Sequence, residues 1–267
     1  MTYRDRLTAA VTNRGNLCVG IDPHAGLLEA WGLPDNATGL AEFSRTVIDA
    51  IGSDVAVFKP QSAFFERHGS AGIAVLEETL AAIHAAGALS ILDVKRGDIG
   101  STMSAYASAY LRRDSPLRAD AITISPYLGF GSLAPALELA AETEAGVYVL
   151  VRTSNPEGVV LQSSIDAKGV SVAQQIIDES VAWTAQTGFD GIGAVIGATL
   201  PDLQLDLDAF DGSILAPGVG AQGGTITGLS ALFGANTRNV LPSVSREVLS
   251  AGPMQTSLQT KLAAMLA

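Results

Sequence analysis

Eight short apolar runs recur along the 267-residue chain, at 17–21, 55–59, 89–93, 121–125, 147–152, 192–196, 213–216 and 239–242. Continuous apolar runs this short suit strands buried on both faces, the condition of strands in a parallel sheet. Longer Ala-rich stretches with a helical period separate them. Over 70–87, Ile73, Leu76, Leu80 and Ile83 recur on one face and Gly87 supplies a stop. Helices are expected likewise near 2–13, 38–52, 101–113, 130–143, 170–187, 199–206 and 224–233, with another at the C-terminus. Eight β/α units with no composition break, linker or internal repeat predict a single (β/α)8 barrel over 1–267. A doubly wound open sheet is the alternative, but the GxGxxG turn after its first strand is missing.

Composition narrows the function. A hydrophobic fraction of 48% with 16% charged residues can fill a sizeable core. Sixteen Lys and Arg against 27 Asp and Glu leave a net charge of −11, which argues against a nucleic-acid partner. One phosphorylated metabolite remains possible, because it needs only a local anion site. Cys18, the lone cysteine, lies in the run Leu17-Cys18-Val19 and reads as a packed core thiol. His24, His68 and His84 are dispersed, so no histidine-built metal site is expected. No apolar run reaches the roughly 18 residues of a membrane span. The first seven residues lack a signal-peptide core, and the cytoplasm is the expected location.

In a (β/α)8 barrel the chemistry sits at the C-terminal ends of the strands. Read in order, those ends present Asp22, Lys59, then Asp93 and Lys95, followed by Ser125, by Arg152 and Ser154, by Pro217, and by Ser245 and Arg246. Four charged residues at the ends of the first three strands converge on one mouth. The third end is the most distinctive: Asp93-Val94-Lys95-Arg96-Gly97-Asp98-Ile99-Gly100-Ser101-Thr102. Strand alternation puts Asp93 and Lys95 on the same side, while Asp98 falls on a glycine-bearing loop. A lysine held between carboxylates gives its proton only to a strong base.

A second element, Pro217-Gly218-Val219-Gly220-Ala221-Gln222-Gly223-Gly224, follows the seventh strand. Its backbone amides are expected to approach an anion, with Arg246 beyond the eighth strand as a clamp on the same phosphate. Asp206, Asp208 and Asp211 read as a solvated acidic face. The polar stretch 154–169 after the fifth strand is expected to be a functional loop.

These motifs together resemble orotidine 5′-phosphate decarboxylase, specifically its longer bacterial branch. The likeness extends over Gly20 to Pro23, Phe58 to Pro60, Asp93 to Thr102, Ser154 to Pro156 and Pro217 to Gly224. It implies cofactor-free conversion of orotidine 5′-phosphate to UMP in pyrimidine synthesis, with no metal. Lys95 would protonate C6, Asp93 would face the substrate carboxylate, and Lys59 would extend the charged array. Asp98 would serve the partner's site across a homodimer, with Ile99 lining the carbon dioxide pocket and Thr102 near the ribose. Asp22 and Lys59 would bind ribose hydroxyls, Ser154 the pyrimidine edge, and Pro217, Gln222 and Arg246 the phosphate end. Gln222 and 154–169 would form a lid. The rival on this barrel is a magnesium-dependent phosphosugar enzyme, which shares part of the Asp-x-Lys-x-x-Asp pattern.

Overall fold

In the computed structural model, which describes residues 1–220 and 223–266, the apolar runs close on themselves. The strands are β1 (Cys18–Ile21), β2 (Val57–Pro60), β3 (Leu89–Arg96), β4 (Ala121–Ile124), β5 (Gly146–Arg152), β6 (Ile192–Ile196), β7 (Ile214–Pro217) and β8 (Val240–Val244). They form a closed barrel in sequence order. Each pairs in parallel with its neighbour, and β8 pairs with β1. This is the expected (β/α)8 barrel.

Strand parity splits the core in two. Cys18, Val57, Ile91, Ala121, Tyr148, Val195, Leu215 and Leu241 fill the barrel interior. Their neighbours Val19, Phe58, Leu92, Ile122 and Val147 pack outward against the helices. Cys18 is fully buried, as expected of a core thiol, and burial pushes its pKa up to about 12. At the N-terminal end of the barrel, Tyr3 stands edge-on to Tyr148, and the two hydroxyls meet at 3.0 Å. The helix Tyr3–Arg14 that carries this plug starts from a capping box between Thr2 and Asp5.

Helix positions follow the expected periodicity with small end shifts. The 70–87 helix runs Gly69–Ala85 and buries Val75, Leu76, Leu80 and Ile83 rather than Ile73. Short helices at Ala25–Ala30, Ser62–Glu66 and Arg246–Leu249 carry too few periodic residues to be read from sequence. The 154–169 stretch contains a one-turn helix, Gly158–Gln162, tied back by a bond from Thr153 N–H to Gln162 Oε1 of 2.9 Å.

The expected helix at 199–206 is absent: Thr199 to Asp206 have no regular structure. Leu203, Leu205 and Leu207 alternate with period two and lay one edge on the core. Gln204 between them adopts φ +46°. Buried Arg152 holds the Leu203 carbonyl at 2.5 Å, so tertiary contacts override the local helix preference. Asp206, Asp208 and Asp211 are exposed as expected, and Asp211 pairs with Arg4 at 2.6 Å.

The barrel interior is filled to contact. A Cβ on Gly193 of β6 would stand 2.5 Å from the Tyr148 ring and 2.8 Å from the Ser213 carbonyl. Gly193→Ala is therefore expected to destabilise the protein by ~1–3 kcal/mol through overpacking. Urea denaturation of the variant beside wild type measures it, and an unchanged midpoint would show that the interior has slack.

Candidate active site

Two residues beyond the apolar interior positions, the same inward face turns polar. Val57 is followed by Lys59, Ile91 by Asp93, Ala121 by Thr123 and Leu241 by Ser243. On the opposite side Tyr148 is followed by Leu150, and Val195, Leu215 and Pro217 continue an apolar wall. A cleft of about 630 Å³ opens between the two halves at the C-terminal mouth.

The centre of the polar half is a three-residue ion chain. Lys59 Nζ reaches Asp93 Oδ2 at 3.1 Å, and Lys95 Nζ reaches Asp93 Oδ1 at 2.6 Å. Lys59 and Asp93 are only 6% and 7% exposed, whereas the Lys95 side chain is 45% exposed and faces the cleft. Burial disfavours the Asp93 carboxylate, but the two ammonium groups and the Lys95 and Thr123 hydrogen bonds outweigh it. Its pKa falls well below the usual carboxylate range. For Lys59, burial is likewise opposed and overcome by Asp93 and Asp22, so its pKa is raised. Asp22 lines the same cleft with a buried Oδ1 that has no hydrogen-bond partner among the described residues.

Simple alternation does not explain how Lys95 reaches Asp93. β3 was expected to end at Asp93, yet it continues to Arg96, with a register shift against β4 between Leu92 and Arg96. Within this bulge Lys95 adopts φ +46°, a left-handed conformation that is strained for a lysine. Two side chains flank it. The Thr123 hydroxyl accepts the Lys95 N–H at 2.9 Å. Arg96 donates back to the Val94 carbonyl at 3.0 Å, reaches Glu66 at 2.5 Å and lies over Tyr106. Gly97 then passes β4 so closely that a Cβ would come within 2.3 Å of the Ser125 carbonyl.

Of the residues singled out in the sequence, Asp22, Lys59, Asp93, Lys95, Ser154, Pro217 and Arg246 line this one cleft. Asp98, Ile99 and Thr102 do not. Asp98 Oδ1 instead accepts its neighbour's Ile99 N–H at 2.7 Å, and the Ile99 side chain is 63% exposed. Gln222 lies outside the described residues. Gly220 N–H bonds to the Gly224 carbonyl, Gly223 to Gly220 and Gly224 to Gly218, at 2.8, 2.8 and 3.1 Å. Those three amides are paired within the glycine loop, and Gly218, Val219 and Arg246 line the cleft.

Sequence reading missed Thr123, Gln61, Asn155, Thr199 and Ser243, all in the lining. Thr123 and Ser243 had a signal: each is a lone hydroxyl inside an apolar strand, at the parity of the charged residues. Among the described residues no three His, Cys, Asp or Glu side chains converge as a metal-ligand set. No helix among them is long and apolar enough to cross a membrane.

A depressed carboxylate binds fewer protons folded than unfolded. Its stabilisation is fully present above the unfolded aspartate pKa of about 3.9 and is lost as pH falls from there. Stability measured by denaturation is therefore expected to fall as pH drops below about 4, with a shallower slope for Asp93→Asn. Parallel slopes would contradict the assignment.

Comparison with known proteins agrees with this architecture. Residues 15–260 match the family model "Orotidine 5'-phosphate decarboxylase / HUMPS family". The chain is 54% identical over 256 residues to orotidine 5′-phosphate decarboxylase of Streptomyces coelicolor, covering 96% of this chain and 92% of that one. It is 53% identical over 267 residues to the Salinispora arenicola enzyme, covering 100% and 96%. The crystal structure of a Streptomyces avermitilis protein given the same assignment superposes with a TM-score of 0.95 at 55% identity, covering 99% of this chain and 93% of that one. On its sequence and its barrel alike, the chain belongs to the orotidine 5′-phosphate decarboxylase / HUMPS family.

Proposed function

We propose that this protein decarboxylates orotidine 5′-phosphate to UMP without a cofactor, with Lys95 delivering the proton. The observation that carries the reading is the Lys59–Asp93–Lys95 chain, set opposite an apolar wall in one cleft. A planar pyrimidine fits between the two, with its C6 carboxylate toward the charges and its phosphate toward Arg246. The C6–carboxylate bond breaks, its electron pair stays on C6, and carbon dioxide departs. The Lys95 ammonium then passes a proton to C6, and solvent reprotonates the amine.

The physics favours an ammonium fixed beforehand. The C6 carbanion has little resonance relief, so the enzyme must remove much of the ~8–23 kcal/mol that enzymes typically take off a barrier. A cation already oriented where negative charge develops needs no reorganisation as the reaction proceeds. Contacts to the unreactive phosphate supply binding energy for closing 154–169 over the site.

The same reading assigns Asp98 to a partner's cleft in a homodimer. Its absence from the lining of its own cleft supports this, as do exposed apolar side chains that follow β3 and β4. Ile99 follows β3 and Tyr127 and Leu128 follow the adjacent β4, at 63%, 74% and 51% exposure. Exposed apolar side chains beyond two adjacent strand ends are suited to cover by a second copy.

Purified protein is expected to bleach the ultraviolet absorbance of orotidine 5′-phosphate equally with and without EDTA, and Lys95→Ala to lose turnover with its fold intact. EDTA-sensitive activity would favour the magnesium-dependent rival, and a wild-type kcat in Lys95→Ala would sink the proton-donor role. Sharing of Asp98 is tested separately by mixing inactive Lys95→Ala with inactive Asp98→Asn. Exchange of subunits should restore activity, because half of the hybrid sites then carry both native residues. No recovery, despite demonstrated exchange, would place Asp98 outside the partner's site.

A further inference from the structure

Thr123 sits in the middle of β4, between Ile122 and Ile124, and is 1% exposed. A hydroxyl buried this deeply has to place both its proton and a lone pair. Its two neighbours leave no choice. The Lys95 main-chain N–H can only donate, and it lies 2.9 Å away. The ionised Asp93 carboxylate can only accept, and its Oδ1 lies 2.7 Å away. The hydroxyl therefore accepts from Lys95 and donates to Asp93.

That Asp93 oxygen is also the one that receives Lys95 Nζ at 2.6 Å. Thr123 thus closes a ring running from the Lys95 backbone through a hydroxyl and a carboxylate to the Lys95 ammonium. The ring encloses the one residue of β3 with positive φ. Resting on the reading of Lys95 as proton donor, we infer that Thr123 is a positioning residue for the decarboxylation. It holds the Lys95 backbone in its left-handed turn and orients the carboxylate on which the ammonium rests.

Valine has nearly the shape of threonine and neither hydrogen-bonding function. In Thr123→Val the Lys95 N–H loses this partner and the backbone is free to relax toward extended geometry, swinging the Lys95 side chain. The apolar wall on β5 to β7 and Arg246 beyond β8 are untouched, so substrate binding should persist.

The test is steady-state decarboxylation of orotidine 5′-phosphate by the full-length protein and its Thr123→Val, Thr123→Ser and Lys95→Ala variants, with melting temperatures alongside. Thr123→Val is expected to lower kcat by about 10- to 100-fold, with KM within about threefold of wild type. Thr123→Ser, which keeps the hydroxyl, should recover most of the loss. A wild-type kcat in Thr123→Val, a change confined to KM, or a serine variant as slow as the valine one would each overturn the inference. Thr123→Ala gives the same comparison if the valine variant does not accumulate folded. Inactive Lys95→Ala beside fully active Thr123→Val would overturn the inference alone. Active Lys95→Ala would overturn the proton-donor reading and the inference with it.

Discussion

The Asp93 carboxylate is a charge taken out of water at the mouth of the barrel, and much of the surrounding structure is arranged to keep it there. Moving an ion from water into a protein interior costs several kcal/mol, and removing one partner of a buried pair typically costs ~3–5 kcal/mol. Both oxygens of Asp93 are accordingly engaged, Oδ2 by Lys59 and Oδ1 by Lys95 and Thr123. These groups come from β2, β3 and β4, so the ion chain ties three adjacent strands together at one level. The same charge that Lys59 and Lys95 stabilise raises the Lys59 pKa in return. Stability and site electrostatics are here one arrangement.

Around this centre the cleft divides by strand number. The first four strands and the eighth supply charge and hydroxyls, whereas β5 to β7 supply Leu150, Val195, Leu215 and Pro217. A chain of net charge −11 therefore presents a cleft in which Lys59, Lys95 and Arg246 outnumber Asp22 and Asp93. Net charge describes the solvated surface and says little about a pocket whose low-dielectric walls focus local fields. A negative net charge is thus compatible with a locally cationic cleft, of which Arg246 lines one part.

What the sequence disclosed follows how local each signal is. All eight strands were legible, because a strand buried on both faces must be apolar throughout its short length, and in a barrel its polar end marks the mouth. Seven of the named site residues meet in one cleft on that basis alone. The helix expected at 199–206 failed because Leu203 and Leu205 answer to a surface they reach only in the folded chain. Asp98, Ile99 and Thr102 belong to the same motif as Asp93 and Lys95 yet stand apart from the cleft, because the chain leaves the barrel mouth after β3. The pairing of Asp93 with Lys95 is the more instructive case. Period-two alternation requires an extended backbone at both residues, and Lys95 instead turns left-handed within a bulge. The two side chains still meet, because Thr123 and Arg96 hold the peptide units on either side of the turn. Bulges re-aim side chains beside active sites, and a lysine placed by a bulge is held at a set angle rather than lying along the strand. Proximity could be read from the motif, but the strained backbone that produces it depends on a hydroxyl one strand away.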